Sequence, residues 1–416
     1  MPTTQPWVIE NLFRTEYGRV LAALITHFGD FVLAEDALQE AFLIALEEWP
    51  QQGMPKNPVA WLTAVAKRRA IDQLRRGAKV LPDSFEDLQL SDSDAELDDL
   101  MMDEVPDERL KLMFTCCHPA LSVESQVALT LQTLGGLSVE AVARAFLVPL
   151  STMQQRLVRA KNKIRDAHIP YGIPPRELLG ERLEALHSVL YLIFNEGYFA
   201  TSETLLVNRE LCAEAIRLCR ILLELLPPEN TLIAETTGLL ALMLLHDSRR
   251  DARVNADGEL VILEAQDRSL WHRDQIDEGI ALLDTALTLR RPGPYQIQAA
   301  ISALHAEARS SEETDWPQIT ALYGALRRYT ASPVVELNYA VAMGMMWGPS
   351  EGLNLLLPLE EALAEYAPYH IACAEFLRKT HQREAAIDAY QHAIRLSKNR
   401  LERGYLQRQV NMLRLF

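Results

Sequence analysis

Two basic stretches with helical periodicity constrain this chain more than any other feature. They run from Trp61 to Arg76 and from Ser151 to Arg165, in a chain of 416 residues whose formal net charge is −16. Lysine and arginine gathered locally on a negative protein indicate a defined site for a polyanion rather than general adhesion. The two stretches therefore predict contact with nucleic acid at two places.

Length and composition bound the class of protein. A chain of 416 residues predicts two or three domains, and 49% apolar residues are ample for globular folding. The five cysteines are odd in number and show no disulfide framework. The N-terminal residues lack a basic segment, and no window reaches the roughly 18 uninterrupted apolar residues of a membrane span. We therefore expect a reduced, cytoplasmic protein with no membrane partner.

Nearly every segment predicts helix, so we expect an all-α fold. Ala, Leu, Glu, Gln and Arg dominate, and apolar residues recur at intervals of three and four. One apolar stripe should end with its helix at Trp49-Pro50, because proline cannot donate the amide that a helix interior needs. The stripe consists of Ala34, Ala37, Leu38, Ala41 and Ala45.

The second basic stretch follows the pattern of a helix-turn-helix. A helix that begins at Ser122 stops at two glycines, and Ser138 can cap a short helix that a tight turn separates from the basic one. The start of the basic helix would face base edges, whereas a solvated basic face is the alternative interpretation. The base-facing candidates are Ser151, Thr152, Gln154 and Gln155; the phosphate-facing candidates are Arg156, Arg159, Lys161 and Lys163; the packing face is Leu157, Ala160 and Ile164.

The first basic stretch predicts a similar amphipathic helix. Its inward positions would be Ala66, Ala70 and Leu74. Trp61 can either stack on an unpaired base or belong to the core, and Arg68 can simply pair with Asp72. The basic surface would be formed by Lys67, Arg68, Arg69, Arg75, Arg76 and Lys79.

Residues 83–108 form an acidic stretch with no lysine or arginine, which predicts a tether between two modules. It can act as a spacer, or it can mimic nucleic acid and shield basic surface. The neighbouring Cys116-Cys117-His118 suggests zinc at first sight, but no second pair of ligands has suitable spacing. We expect buried thiols there, as we do for Cys212 and Cys219, and we predict neither a metal nor a cofactor.

The region after about residue 170 predicts a stack of helical hairpins. Glu336–Met343 matches Tyr369–Phe376, 33 positions on, which is close to the period of tetratricopeptide (TPR) repeats. Asp257-Gly258 between apolar residues predicts one small β-hairpin. Around this hairpin, charged side chains would form either a salt-bridge network or a regulatory contact surface. They are Arg249, Arg250, Asp251, Arg253, Asp267, Arg268 and His272.

These pieces, in this order, resemble an extracytoplasmic-function (ECF) sigma factor of bacterial RNA polymerase. Asp30–Phe42 resembles the helix of that family that docks on the polymerase clamp, and Ala60–Arg76 resembles its −10 element helix. Gly136–Phe146 with Thr152–Lys161 resembles its −35 helix-turn-helix. Tyr191–Ala200 and Asp267–Trp271 resemble the helical extension of one subgroup, which implies regulation by the attached domain.

The resemblance implies roles for particular residues. Asp36, Gln39 and Glu40 would meet the β′ clamp, and the loop 50–58 with Asn57 would help the first basic helix to hold the melted −10 strand. Partners would be core polymerase, through its β′ clamp and β flap, and promoter DNA. One departure stands at Pro149, where the family usually has a capping serine; a capping box of Ser151 with Gln154 would replace it.

We therefore predict four parts: 1–82, sigma region 2; 83–108, the acidic linker; 109–170, sigma region 4; and 171–416, a TPR-like regulatory extension that can contact the sigma modules. The predicted function is an alternative sigma factor that binds core polymerase and promoter DNA without catalysing a reaction. The alternative is a helix-turn-helix regulator with a helical-repeat sensor that works independently of polymerase. An enzyme in the C-terminal half has little support, because no nucleophile–base pair or glycine loop stands out there.

Overall fold

The computed structural model describes residues 6–77, 105–146, 148–198, 208–226, 232–256 and 258–415. Within them the predicted all-α fold is confirmed. The chain divides into two compact units, 1–192 and 193–416. The four-part division made from the sequence stays a prediction. The helices of the first unit are α1 (Pro6–Phe28), α2 (Phe31–Gln52), α3 (Pro58–Gly77), α4 (Val105–Cys116), α5 (Val123–Thr133), α6 (Val139–Ala145) and α7 (Leu150–Asp166), followed by α8 (Leu179–Tyr198), which crosses the division.

Polar side chains set the starts of these helices. Asp30 accepts hydrogen bonds from the amides of Val32 and Leu33 at the start of α2. Ser138 caps α6 through the amide of Ala141, as predicted, and Ser122 caps α5. Each cap satisfies an amide that the first helical turn leaves without a partner.

The α2 stripe is buried as the sequence predicts. Ala34, Ala37, Leu38, Ala41 and Ala45 are all inaccessible to solvent. The predicted end of this helix at Pro50 is wrong by two residues. The chain leaves the helix at Gly53, whose φ of 89° ends it and whose amide still donates to the carbonyl of Trp49 at 2.9 Å.

The end of the acidic stretch is also helical. Helix α4 begins at Val105, so the predicted linker 83–108 overlaps it, whereas residues 78–104 lie outside the described residues. Glu108, which the tether prediction placed in a solvated segment, is buried. Its carboxylate lies 2.6 Å from the Lys111 ammonium and accepts from the Thr26 hydroxyl, because burial of a carboxylate requires such partners.

The second unit is a succession of helices in which each packs against the next. Three apolar clusters follow one another along it, centred on Ile319, Phe376 and Tyr390. The TPR-like repeat that the 33-residue sequence match indicates stays a prediction. Its helices are α9 (Arg209–Leu225), α10 (Ile233–Asp247), α11 (Arg273–Thr288), α12 (Pro294–Glu307), α13 (Trp316–Leu326), α14 (Pro333–Trp347), α15 (Pro349–Leu356), α16 (Ala367–Lys379), α17 (Arg383–Leu396) and α18 (Arg400–Leu415).

The predicted hairpin exists but is minimal. A single antiparallel bridge joins Val254 to Leu260, and the amide of Val261 donates to the carbonyl of Arg253 at 2.9 Å. Gly258 supplies the positive φ of 75° that the turn requires. The chain then runs on as short 3-10 turns at Leu263–Ala265 and Arg268–Leu270.

The helices of the C-terminal stack approach one another closely where glycines replace side chains. A Cβ built at Gly344 or at Gly352 would overlap the ring of Phe376, which lies in the next helical pair. Phe376 itself is buried. By contrast, a Cβ at Gly324 in α13 would meet nothing within 4 Å.

We expect Gly344→Ala to destabilise the second unit by about 1–3 kcal/mol, because the added methyl group forces the Phe376 ring out of its packing. Gly324→Ala, a matched change in an open position, should be neutral or stabilising by about 0.5–1 kcal/mol. Thermal unfolding of the full-length variants, followed by circular dichroism, measures both. Equal melting temperatures for the two variants would contradict the expectation.

Candidate nucleic-acid interface

Helix α7 presents one apolar and one polar face. Met153, Leu157, Ala160 and Ile164 are buried, which confirms the predicted packing face. The prediction of a Ser151–Gln154 capping box is wrong: Pro149 is the N-cap and no side chain caps the helix. Proline fixes the chain direction at this position but carries no acceptor for the first amides.

The start and the outer face of α7 are accessible. The candidates that lie exposed are Ser151, Thr152, Gln154, Gln155, Arg159 and Lys163, and Arg156 is half-buried. Three of these form a row, since Arg156, Arg159 and Lys163 recur at intervals of three and four. A cationic row beside small polar side chains has the composition of a surface that reads DNA, with phosphate contacts flanking base contacts.

Lys161 differs from the other basic residues of α7. Its ammonium lies 2.5 Å from a carboxylate oxygen of Glu35 in α2, and their side chains are only 14% and 3% exposed. The other Glu35 oxygen accepts from the Gln132 side-chain amide at 3.0 Å. Lys161 was predicted to contact the −35 phosphates, and in this arrangement it binds Glu35 instead.

The electrostatics of this contact are set by burial. Burial raises the pKa of Glu35, while the charge of Lys161 and its hydrogen bond oppose that shift. Partial burial also raises the pKa of Asp36. The Glu35–Lys161 contact thus joins two groups that are both removed from water, and breaking it leaves a buried charge without its partner.

Further contacts join the α1–α3 helices to the α4–α7 helices within the first unit. The Tyr171 hydroxyl lies 3.2 Å from the carbonyl of Ala22 and 3.0 Å from the carbonyl of Glu108. A Cβ at Gly18 would come within 3.1 Å of the Thr133 carbonyl oxygen. The two predicted DNA-binding modules are therefore packed together here.

In α3, two predicted DNA contacts have structural partners. The Asn57 side chain caps the helix by accepting from the amide of Ala60 at 3.1 Å. Trp61 packs edge-on against Trp49, with ring centroids 5.2 Å apart, and is half-buried. Lys67 is also half-buried, and burial lowers its pKa. Asn57 remains exposed, whereas Trp61 and Lys67 are only partly accessible.

The remaining basic residues of α3 are more open. Arg68, Arg75 and Arg76 are exposed, and Arg69 lies 3.7 Å from Glu40. The expectation that Leu74 packs inward is wrong, because its side chain is 50% exposed. Two arginines follow Leu74 in the last turn of α3, and the packing that covers Ala66 and Ala70 stops short of this turn.

The acidic face of α2 is accessible where the resemblance places a polymerase contact. Asp36 and Gln39 are exposed. Glu40 is half-buried and accepts from the Gln73 side chain at 3.2 Å as well as approaching Arg69. Two of the three predicted polymerase-binding residues therefore face solvent next to the basic helix α3.

Most side chains of the charged cluster in the second unit are half-buried. Arg253 is 6% exposed, donates to the Tyr198 carbonyl and stacks on the Tyr198 ring at 3.9 Å. The prediction that Arg253 belongs to a surface is therefore wrong, since its guanidinium is held inside by a carbonyl and a ring. The Arg268 guanidinium donates to the carbonyls of His305 and Ala308, both at 2.5 Å.

The other members of this cluster bind one another or residues beside the cluster. Arg250 lies 2.5 Å from Asp247, and His272 lies 2.6 Å from Asp251. Arg249 contacts His246 at 3.3 Å, and exposed Asp267 caps the turn that follows it through the amide of Ser269. A salt-bridge network, the first of the two interpretations of this cluster, accounts for these contacts.

Four of the five cysteines are buried thiols, and Cys373 is half-buried. Cys116 and Cys117 lie beside the hydroxyls of Thr133 and Thr130, and burial raises both thiol pKa values, that of Cys117 to about 12. Cys212 and Cys219 are buried too, as predicted. Within the described ranges, no group of three or more His, Cys, Asp or Glu side chains is placed to hold a metal ion. In the same ranges, no helix is long and apolar enough to cross a membrane.

Comparison with known proteins agrees with this geometry. Residues 12–80 match the profile of sigma-70 region 2, and residues 111–164 match that of sigma-70 region 4. The chain belongs to the sigma-70 family of RNA polymerase sigma factors. The region 2 match covers most of α1 and all of α2 and α3, and the region 4 match contains α5, α6 and all but the end of α7.

Two further matches extend beyond the sigma regions. Residues 182–287 match a family of unknown function, DUF6596. An uncharacterized protein of Rhizobium meliloti (strain 1021) is 44% identical over 398 residues, which cover 95% of this chain and 93% of that protein. The similarity therefore includes the C-terminal unit as well as the sigma-70 regions.

The sequence interpretation missed Glu35, Gln132 and Tyr171. One signal for Glu35 was present: Glu35, Leu38 and Phe42 follow helical spacing, so a carboxylate occupies a position on the buried face of α2. Glu35, Leu38 and Phe42 are all buried. A charged residue in such a position requires a partner, but nothing in the sequence indicates that the partner is Lys161.

Glu35→Gln tests the electrostatics of this contact. Because the pKa of Glu35 is raised on folding, its contribution to stability is present at low pH and is lost as the pH rises above the ordinary value near 4.5. The variant carries a cost at every pH because Lys161 loses its carboxylate partner, and on top of this cost we expect wild type to lose stability relative to the variant between pH 4 and pH 8. Urea unfolding at each pH measures this difference. A relative gain by wild type would mean that the attraction of Lys161 outweighs burial.

Proposed function

We propose that the chain is an alternative sigma factor of the ECF type, which binds core polymerase and recognises −10 and −35 promoter elements. Helix α7 reads the −35 element in the major groove, and α3 with Asn57 and Trp61 holds the melted −10 strand. The C-terminal unit modulates this activity. The protein itself catalyses no reaction and takes no cofactor; binding energy alone opens the −10 region.

The observation that carries this proposal is the exposure of basic and small polar side chains on α7, within the residues that match sigma-70 region 4. The N-terminal part of a recognition helix contacts base edges, and Thr152, Gln154 and Gln155 occupy that part. Only 30 residues, 81–110, separate the two matched regions. So short a segment is below the size of an independent folded domain, which supports a factor built of two DNA-binding modules.

Promoter binding requires the two modules to separate. The −10 and −35 elements are named for positions roughly 25 base pairs apart, which is about 85 Å at 3.4 Å per base pair. Lys161 and Glu35 cannot remain 2.5 Å apart while each module occupies its own element. We propose that the described arrangement is a resting state, and that Lys161 becomes a phosphate contact when the pair opens.

Arg159→Glu should weaken promoter recognition without affecting polymerase binding. The change places a negative charge against the −35 phosphates, and we expect run-off transcription with core enzyme to fall by about tenfold to a hundredfold. Arg165→Glu is the matched control, because Arg165 lies in the last turn of the same helix beside Asp166. It should reduce transcription much less.

Two results would overturn the assignment of α7. One is equal loss of transcription from both variants, which would indicate a general charge effect. The other is unaltered transcription from the Arg159 variant. If the wild-type chain bound DNA duplex but ignored core polymerase, the helix-turn-helix regulator would be the better description.

Asp36→Arg should weaken the affinity for core polymerase by about tenfold, since an exposed acidic contact would become repulsive towards a basic clamp surface. Glu47→Arg is the matched control, because Glu47 is an exposed acid on the same helix. Fluorescence anisotropy of labelled protein titrated with core enzyme measures both. Equal affinities for the two variants would remove Asp36 from the interface.

A further inference from the structure

An extended segment of the chain lies along one face of the C-terminal helical stack. This segment, residues 259–265, follows the hairpin turn. It begins beside the bridge between Leu260 and Val254 and ends with the 3-10 turn at Leu263–Ala265. We call it the strap. Its apolar side chains, Leu260 to Leu263, are half-buried rather than part of the core.

The strap and the helices line a common cavity of about 320 Å³. On one side lie Ile262, Leu263 and Glu264. On the other side lie residues contributed by five helices of the stack, among them Ile319 of α13, Asn338 and Val341 of α14, Ile371 and Glu375 of α16, and Tyr405 of α18. A second space is enclosed by Leu260, Val261 and Ile262 against α18.

The wall of this cavity follows the sequence repeat. Asn338, Ile371 and Tyr405 are spaced by 33 and 34 residues, and they come from the alternate helices α14, α16 and α18. Equivalent positions of successive repeats thus face one site. Stacked helical repeats generate extended binding surfaces in this way, because every repeat offers the same position to one ligand.

The strap is held on this face by side chains. Glu259 lies 2.8 Å from Arg408 of α18, and both side chains remain about two-fifths exposed. The hydrogen bonds that the strap backbone donates go to neighbouring residues, such as Val261 to Arg253 and Ala265 to Ile262. An exposed ion pair and half-buried aliphatic contacts are individually weak, so this docking is of a kind that a competitor can replace.

We propose that the face lined by α14, α16 and α18 is a peptide-binding groove, which the strap occupies in the resting protein. Its partner is an extended segment of another protein with an acidic residue followed by aliphatic residues, the chemistry of Glu259 to Leu263. The acidic residue takes Arg408, which lines the second space, and the aliphatic side chains cover the 320 Å³ cavity as Ile262 and Leu263 do in the resting protein. The groove lies within the C-terminal unit, so it does not depend on the role of the sigma-70 regions.

A labelled peptide with the sequence of residues 258–267 tests the groove directly. In wild type the strap competes at the high effective concentration of a tethered ligand, so the peptide should bind at least about tenfold more weakly than to a released variant. The released variant is Leu260→Asp with Ile262→Asp in the full-length chain, which places charges on the strap and leaves the groove intact. Anisotropy measures the affinities, and circular dichroism checks that helicity is retained.

Charge exchange makes the test specific. In the released background, Arg408→Glu should abolish binding, and a peptide carrying Glu259→Lys should restore it. Arg414→Glu, an exposed arginine of α18 that does not line either space, should bind the original peptide normally. A released variant that retains its helicity and binds no peptide would overturn the proposal, as would binding that Arg408→Glu does not change.

Hydrogen exchange provides a second measurement that needs no released variant. Arg408→Glu in the otherwise wild-type chain should accelerate amide exchange in residues 259–265, and adding Glu259→Lys should slow it again. Exchange that is equally fast in wild type and both variants would contradict docking of the strap. A released variant that dimerises through its own strap, seen by light scattering, would assign the groove to a second copy and would overturn the proposed partner.

Discussion

The first unit depends on a buried contact between opposite charges. Glu35 and Lys161 lie 2.5 Å apart on helices that belong to different sigma-70 regions, and Gln132 holds the remaining carboxylate oxygen. Such a pair contributes little net stability compared with apolar packing, but it is costly to leave half-made. It therefore specifies one arrangement of the two regions. The Tyr171 hydroxyl reinforces that arrangement by bonding to carbonyls from both sides.

Amphipathic periodicity predicted the helices and their buried faces because both depend on neighbours three and four residues apart. The α2 stripe, the α7 packing face and the Ser122 and Ser138 caps are local in this sense. Tertiary partners are not local. Lys161 is identical in type to the solvent-facing Lys163, and only the fold distinguishes them. Asn57, a predicted strand contact, turned out to cap α3, which the spacing to Ala60 could have indicated.

The second unit shows the same limit for charged residues. Arg253 and Arg268 fall in a polar stretch that predicts a surface, yet their guanidinium groups satisfy carbonyl oxygens of Tyr198, His305 and Ala308. Arginine suits such positions because its fixed fork of donors can satisfy several acceptors, and its flat face packs on aromatic rings. The 33-residue match, by contrast, relates positions within the chain itself, and the TPR-like repeat that it indicates stays a prediction.

The close approach of helices at Phe376 has an evolutionary consequence. The ring occupies the space that side chains at Gly344 and Gly352 would need, so the three positions share a single volume. In a close-packed interior, a larger residue at either glycine must be matched by a smaller one in place of the phenylalanine. Homologues are thereby expected to vary these three positions together. A homologue with a larger residue at either glycine position and a phenylalanine at position 376 would have to space its helices differently. The surface that those helices offer would then change as well.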